Sequence, residues 1–307
     1  MLRTSRPRLR GSVRTILLAV AMVAGLVTVP ALTATAITGG APDGQGHPNV
    51  AVILFYDEAD HFRYRCTATL VTPTVLVTAA HCTAGTAGKT IASFSSTISE
   101  TAPSNIPTAP DAAADGSSRT GYTQSGVFTD TRGRTWHVGA PHAHPQYSDF
   151  TDLKNWNDVG VVVLDTPVTG IAPAKIAPAG YLDTIAKSRL AHTLFTIVGY
   201  GTEVRKPDSG PQKPTPESYP LIRRVADAPG QKLTPQILQI NGNINDTRGT
   251  GGSCFGDSGG PTFRGGYQVT VTSYGYTDNC RYLDGLQRID IPVVQRWLAT
   301  YGVRPAA

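Results

Sequence analysis

The sequence predicts an all-β fold, a barrel or a sandwich, and three observations carry that expectation. Its apolar runs are short and rich in valine, isoleucine, threonine and tyrosine. Glycine, proline, asparagine and aspartate punctuate them. A helical period occurs late, near the C-terminal end.

Taken from its start, the chain opens with Arg3, Arg6, Arg8, Arg10 and Arg14 and has no acidic residue before Ile37. An apolar run of 14 residues, 16–29, follows, then Pro30 and the small-residue sequence Ala34-Thr35-Ala36. A basic stretch, an apolar stretch and an A-x-A site are the parts of a secretion signal. A spanning helix needs about 20 apolar residues. Residues 1–36 are therefore expected to be a signal peptide. The protein is expected to be secreted, with no stable membrane association after cleavage.

Beyond the leader, strands are expected at 50–56, 69–71, 75–79, 159–164, 194–198 and 269–274. Ile291, Val294, Leu298 and Tyr301 recur at helical spacing and predict a C-terminal helix. Residues 95–134 and 203–220 are polar and proline-broken. Both are expected to be mobile surface loops that bury little.

The chain carries 27 basic and 22 acidic side chains. The five leader arginines account for the excess, so the mature chain balances at 22 of each. Nothing in that balance calls for a nucleic-acid partner. Export alters the meaning of Cys66, Cys82, Cys254 and Cys280. Four cysteines allow three pairings, and pairing by nearness gives Cys66–Cys82 and Cys254–Cys280. No C-x-x-C spacing suggests zinc. No calcium-ligand run stands out, and neither metal nor cofactor is expected.

A serine hydroxyl needs a base within hydrogen-bond reach, and the base needs a third group to hold it. Three motifs supply such parts: Thr78-Ala79-Ala80-His81-Cys82, Asn157-Asp158 opening the apolar run 159–164, and Gly256-Asp257-Ser258-Gly259-Gly260-Pro261. The glycines let a backbone turn tightly and approach a ligand, as an oxyanion hole of N–H groups requires.

In this order the three motifs resemble the signatures of the chymotrypsin/trypsin-like serine proteases. Ile37-Thr38-Gly39-Gly40 is similar to the mature amino terminus of that family. Val198-Gly199-Tyr200-Gly201-Thr202 resembles the strand opening its second barrel. Ser273-Tyr274-Gly275 resembles its substrate-binding segment, with tyrosine in place of the usual tryptophan. The resemblance spans residues 37–301.

The resemblance implies two six-stranded antiparallel β-barrels with the active site in the cleft between them. They would cover about 37–170 and 171–301, with a short C-terminal helix and a tail at 302–307. It implies a monomeric endopeptidase acting on protein or peptide substrates. Ser258 would be the nucleophile, His81 the general base, and Asp158 the group that holds the imidazole. The N–H groups of Gly256 and Ser258 would bind the oxyanion. Ser273 would support Asp158, and the backbone from Ser273 through Tyr274 to Gly275 would pair with substrate. Cys66–Cys82 would tether His81, and Cys254–Cys280 would brace the pocket. Ile37, once freed, would pair its ammonium with Asp257, and signal cleavage after Ala36 would itself create that terminus.

Six residues before Ser258, where trypsin-like members carry an aspartate, stands Gly252. With Gly275 and Gly285 as open walls, the expected pocket is uncharged and favours an apolar or aromatic residue before the scissile bond. Asp278 and Asp284 are the two residues whose entry into the pocket would change that expectation.

Three rival readings attach to the same residues. A protease fold serving only for binding would ordinarily lack a triad member, and all three are present. His137, His142 and His144 suggest a metal site, but Pro141 and Pro145 flank the last two. The order His, Asp, Ser excludes an α/β-hydrolase.

Overall fold

Valine-rich segments that alternate in direction close on themselves twice along this chain. The structure, a computed structural model, describes residues 37–205 and 213–307. The expected signal peptide lies outside them, as do residues 206–212 of the second expected loop. The first barrel comprises β1 (Val50–Asp57), β2 (Arg63–Thr72), β3 (Val75–Thr78), β4 (Thr86–Ser93), β5 (Thr135–Ala143) and β6 (Gly160–Leu164). Its order is β4-β1-β2-β3-β6-β5, and Ile91 opposite Val138 closes β5 onto β4.

The second barrel comprises β7 (Leu194–Gly199), β8 (Arg224–Leu233), β9 (Ile237–Asn241), β10 (Pro261–Arg264), β11 (Tyr267–Gly275) and β12 (Leu283–Arg288). Its order is β8-β7-β10-β11-β12-β9, closed by Lys232 opposite Gln239. The architecture is two closed six-stranded antiparallel barrels, as expected.

Alternation explains why these segments become strands. Along β1, Val50, Val52, Leu54 and Tyr56 enter one apolar cluster, while Ala51, Ile53 and Phe55 enter the interior of the first barrel. The expected six strands all appear, and the other six were hidden by mixed composition. In β8, buried Arg224 and a run of small residues mask the period.

A helical turn at Lys187–Leu190 (α1) precedes β7, and α2 (Pro292–Ala299) follows β12. Pro292 occupies the first helical turn of α2, where its missing N–H costs nothing. Val294 and Leu298 bury themselves with Val75, Val77 and Val161 of the first barrel and Val271 of the second. The helix thus joins the barrels through one core.

Two regions depart from expectation. Residues 95–134 are not a loosely held loop. Their strand Thr97–Ser99 pairs with Leu221–Ile222, and Val127–Thr129 pairs with β5. Ile98, Ala109 and Tyr122 are buried against Trp136 and β1. These scattered apolar residues, rather than a continuous run, anchor the segment, so composition alone understates its burial. In the second expected loop, Glu203–Arg205 pairs with Thr215–Glu217. The N-terminal segment joins the second barrel: Ala41–Pro42 pairs with β8, and Ile37 is buried in that barrel's core.

Candidate active site

His81 lies in a 3-10 turn, Ala80–Cys82, that follows β3. The Cys66–Cys82 disulfide ties that turn to β2. Asp158 sits two residues before β6 begins and is fully buried. Its Oδ1 accepts the His81 N–H at 2.9 Å, and its Oδ2 lies 2.8 Å from His81 Nδ1. Asp158 therefore fixes both the backbone and the ring of His81.

The second barrel completes this network. The Ser273 hydroxyl donates to Asp158 Oδ2 at 2.6 Å, and Trp156 Nε1–H donates to Ser273 Oγ at 3.0 Å. The Asp158 N–H donates to Gln287 Oε1 on β12 at 3.1 Å. Burial disfavours the charged ring of His81, but Asp158, with a smaller push from Asp149, overrides it. The imidazole pKa consequently lies above its ordinary value.

Ser258 comes from the segment between β9 and β10. Thr67 of β2 holds that segment from across the cleft. Its N–H donates to Ser258 O at 2.8 Å, and its hydroxyl donates to Gly256 O at 2.9 Å. Gly259 has φ +75°, and a Cβ there would sit 2.6 Å from Thr67 O and strike Thr78 Oγ1. Only glycine lets the two barrels approach this closely.

Ser258 lines a cavity of about 210 Å³ with Ser253, Phe255, Ser273, Tyr274 and Gly275. No hydrogen bond joins Ser258 to His81 among the described residues. Ser258 and Ser273, the partner of Asp158, line the same cavity. In the same turn, Asp257, Gly259 and Gly260 donate their N–H groups to Cys254 O, Thr272 O and Asp257 O. The N–H groups of Gly256 and Ser258 have no acceptor among the described residues.

Asp257 is fully buried beneath this turn. Gly201 N–H donates to its Oδ1 at 2.7 Å and Cys254 N–H to its Oδ2 at 2.9 Å. Burial pushes its pKa up to about 7, against the pull of those N–H groups and of Arg65 and Arg224. No hydrogen bond or ion pair joins Ile37 to Asp257 among the described residues. Cys254 and Cys280 form the second expected disulfide.

Gly275 lines the cavity that holds Ser258, whereas Gly252, expected as its floor, is not among the lining residues. The Asp284 carboxylate, 3% exposed, lies beside Gly252. The pairing of β11 with β12 puts Asp284 opposite Gly275. Gly285 is no open wall. It lies under the Tyr274 ring, its cross-strand neighbour, whose atoms occupy the space of any Cβ. Asp278 is exposed at the cavity rim.

The histidines expected as a metal rival do not converge. His137 packs on Phe94, His142 on Tyr301 and His144 on Trp297. The one compact group of possible ligands among the described residues is Cys66, His81 and Cys82, whose sulfurs are joined as a disulfide. Sequence reading missed Thr67, Trp156 and Gln287. Trp156 had one signal, its place two residues before Asp158, while the other two had none.

The family described as Trypsin matches residues 37–297. No curated protein matches the chain. Solved structures resemble it at low identity. HL collagenase has 14% identity and a TM-score of 0.57, over 86% of this chain and 96% of that one. Human heparin binding protein has 16% identity and a TM-score of 0.52, over 88% and 99%. A scabies mite inactivated protease paralogue, S-D1, has 14% identity and a TM-score of 0.56, over 88% and 100%. At these identities the likeness shows the fold alone.

Proposed function

The chain belongs to the trypsin family, and from that premise we propose that it is a secreted serine endopeptidase. The observation that carries this reading is the buried Asp158 gripping His81 by ring and backbone while accepting from Ser273. A histidine that serves only packing has no need of an orienting carboxylate so firmly placed.

In the proposed reaction Ser258 Oγ attacks the scissile carbonyl, and its proton passes to His81 Nε2. Substrate binding brings the hydroxyl and the ring into hydrogen-bond contact, since such contacts often tighten only in the substrate complex. Asp158 holds the tautomer and stabilises the imidazolium. The N–H groups of Gly256 and Ser258 receive the oxyanion. His81 then protonates the leaving amine, and a water repeats the sequence on the acyl-enzyme. The backbone from Ser273 through Tyr274 to Gly275 pairs with an extended peptide. The cavity beside Ser258, lined by Phe255, Tyr274 and Gly275, would take a large apolar or aromatic side chain before the scissile bond.

Two disulfides suit an oxidising compartment outside the cytosol. Cleavage after Ala36 would free the Ile37 ammonium for Asp257, with no separate pro-segment. The enzyme would then act as a monomer on protein or peptide substrates.

A second reading has a specific motive: an inactivated protease is among the similar structures. A fluorophosphonate probe on the processed protein separates the two. Stoichiometric labelling of Ser258, abolished in Ser258→Ala, is the expected result. Ser258→Ala should lower kcat by about 10⁶, by analogy with serine proteases in general. Folded, processed protein that takes no label would favour a binding role.

A further inference from the structure

Three cavities of about 610, 580 and 500 Å³ share walls with one another and share no residue with the cavity of Ser258. Arg264 lines the first and the second, and Lys175 lines the second and the third, so the three form one groove. Arg189 and His192 belong to the first, His47 to the second and Arg304 to the third. No acidic side chain lines any of them among the described residues, although the chain end at Ala307 borders the third. The chain beyond the leader balances its basic and acidic side chains. The groove is therefore a local separation of charge and does not follow from composition.

The carboxylates nearby are committed elsewhere. Asp183 pairs with Arg288 at 2.8 Å, and Asp227 accepts the Thr196 hydroxyl at 2.6 Å. Asp43 holds His47 as Asp158 holds His81, by backbone and by ring. The His47 N–H donates to Asp43 Oδ2 at 2.9 Å, and His47 Nδ1 lies 2.5 Å from Oδ1. Arg223 pairs with the same carboxylate at 2.7 Å. Burial opposes the ionised form of Asp43, but its bonds to His47 and Arg223 bring the pKa down to about 2. With Nδ1 committed and the ring stacked on Phe263 at 5.2 Å, Nε2 is the atom His47 has left for a ligand. The Arg264 guanidinium spends one donor on Leu194 O at 3.4 Å. Lys175, Arg189, His192 and Arg304 have no ion-pair partner among the described residues. Charges of one sign along a groove raise the potential within it and draw in the opposite sign.

We propose that this groove binds an acidic polysaccharide, whose repeated sulfate or carboxylate groups meet the basic side chains in turn. A single-stranded nucleic acid would use open aromatic faces for its bases, and the groove offers none. Phe263 is covered by His47, and Tyr181 and Tyr267 pack on each other at 5.6 Å. A peptide would use pockets for its side chains, whereas the two outer cavities have mainly polar walls. The basic groups are fixed by the fold. Arg189 stands on α1, Arg264 ends β10, and Lys175 lies in the short strand Lys175–Ile176 that pairs with β11. Because the groove and the cavity of Ser258 have no residue in common, the protein could be held on a polymer with that cavity open.

The test is fluorescence anisotropy of labelled heparin titrated with the processed protein, with uncharged dextran as the control polymer. Heparin should bind and dextran should not. Raising the salt from about 50 mM to about 500 mM should weaken binding about a hundredfold or more, because several charge contacts are screened together. Lys175→Gln with Arg264→Gln should weaken binding about tenfold, at a few tenths to 1 kcal/mol for each exposed contact. Arg189→Gln with His192→Gln, on the exposed first cavity, should also weaken it and keeps the test open if the first pair fails to fold. Arg119→Gln with Arg132→Gln removes two exposed charges from the segment 95–134 and should change affinity less than about twofold. No binding of heparin at low salt, or an equal loss in the Arg119 and Arg132 variant, overturns the proposal. So does tighter binding of polyglutamate or duplex DNA than of heparin. Binding is read without turnover, so this outcome and that of the protease reading are independent.

Discussion

Asp158 Oδ2 has two partners, the ring of His81 and the hydroxyl of Ser273. The pairing with His81 makes the imidazole more basic, so activity, which needs the neutral ring, should rise along an acid limb above the ordinary histidine value of about 6.5. The stability linkage has the opposite sense. A raised folded pKa stabilises the folded state below the unfolded value, and that contribution disappears as pH rises through the folded one. Ser273→Ala should lower kcat about tenfold, since a hydrogen bond to a charged group contributes about 1.5–3 kcal/mol. It should also move the acid limb to higher pH, because the unshared carboxylate oxygen becomes a stronger acceptor for the ring. A pH profile of kcat/KM checks this, and an unchanged limb would leave Ser273 with a packing role alone.

Ser273 owes its position to an irregularity in an element. The β11–β12 register shifts between Thr272 and Tyr274, so Ser273 is the extra residue of a bulge. Bulges re-aim side chains, and here the hydroxyl is turned to Asp158 while Tyr274 covers Gly285. The turn bearing His81 is secured differently. The Cys66–Cys82 bridge spans 16 residues and joins β2 to the catalytic turn. Cys66→Ala with Cys82→Ala should cost roughly 3 kcal/mol in the chain-entropy model. Denaturant unfolding reads that loss. If His81 depends on the tether, kcat should fall in the variant even under conditions where it stays folded.

At the scale of the molecule, the N-terminal segment meets the segment that leads to Ser258. Thr38 O accepts the Gly252 N–H at 3.0 Å, beside the Asp284 carboxylate. Asp43 forms a buried ion pair with Arg223 at 2.7 Å, which fastens the same segment between the barrels. Cleavage after Ala36 would thus release an ammonium into a region already braced. Paired with Asp257, that ammonium should have a pKa above its ordinary 7.7–8.0. The active form is then favoured below that range and lost as pH rises through the raised value. Amino-terminal sequencing of the secreted protein should begin at Ile37. A start several residues earlier would show that signal cleavage does not create the activating terminus.

Much of this protein is written locally. His81, Asp158 and Ser258 each lie in a short motif whose residues impose their own geometry. Cys66 and Cys82 lie near each other in the chain, as do Cys254 and Cys280. The period of Val294 and Leu298 announces α2 by itself. Such features were legible because neighbours in sequence are neighbours in space. The surroundings of Asp284 were not legible in that way. Gly252 and Asp284 belong to different segments of the second barrel. They meet because β12 pairs with both β9 and β11, and because a bulge sets the register there. Composition cannot report a cross-strand register, so the tertiary structure alone decided that a carboxylate fills the space left by a glycine.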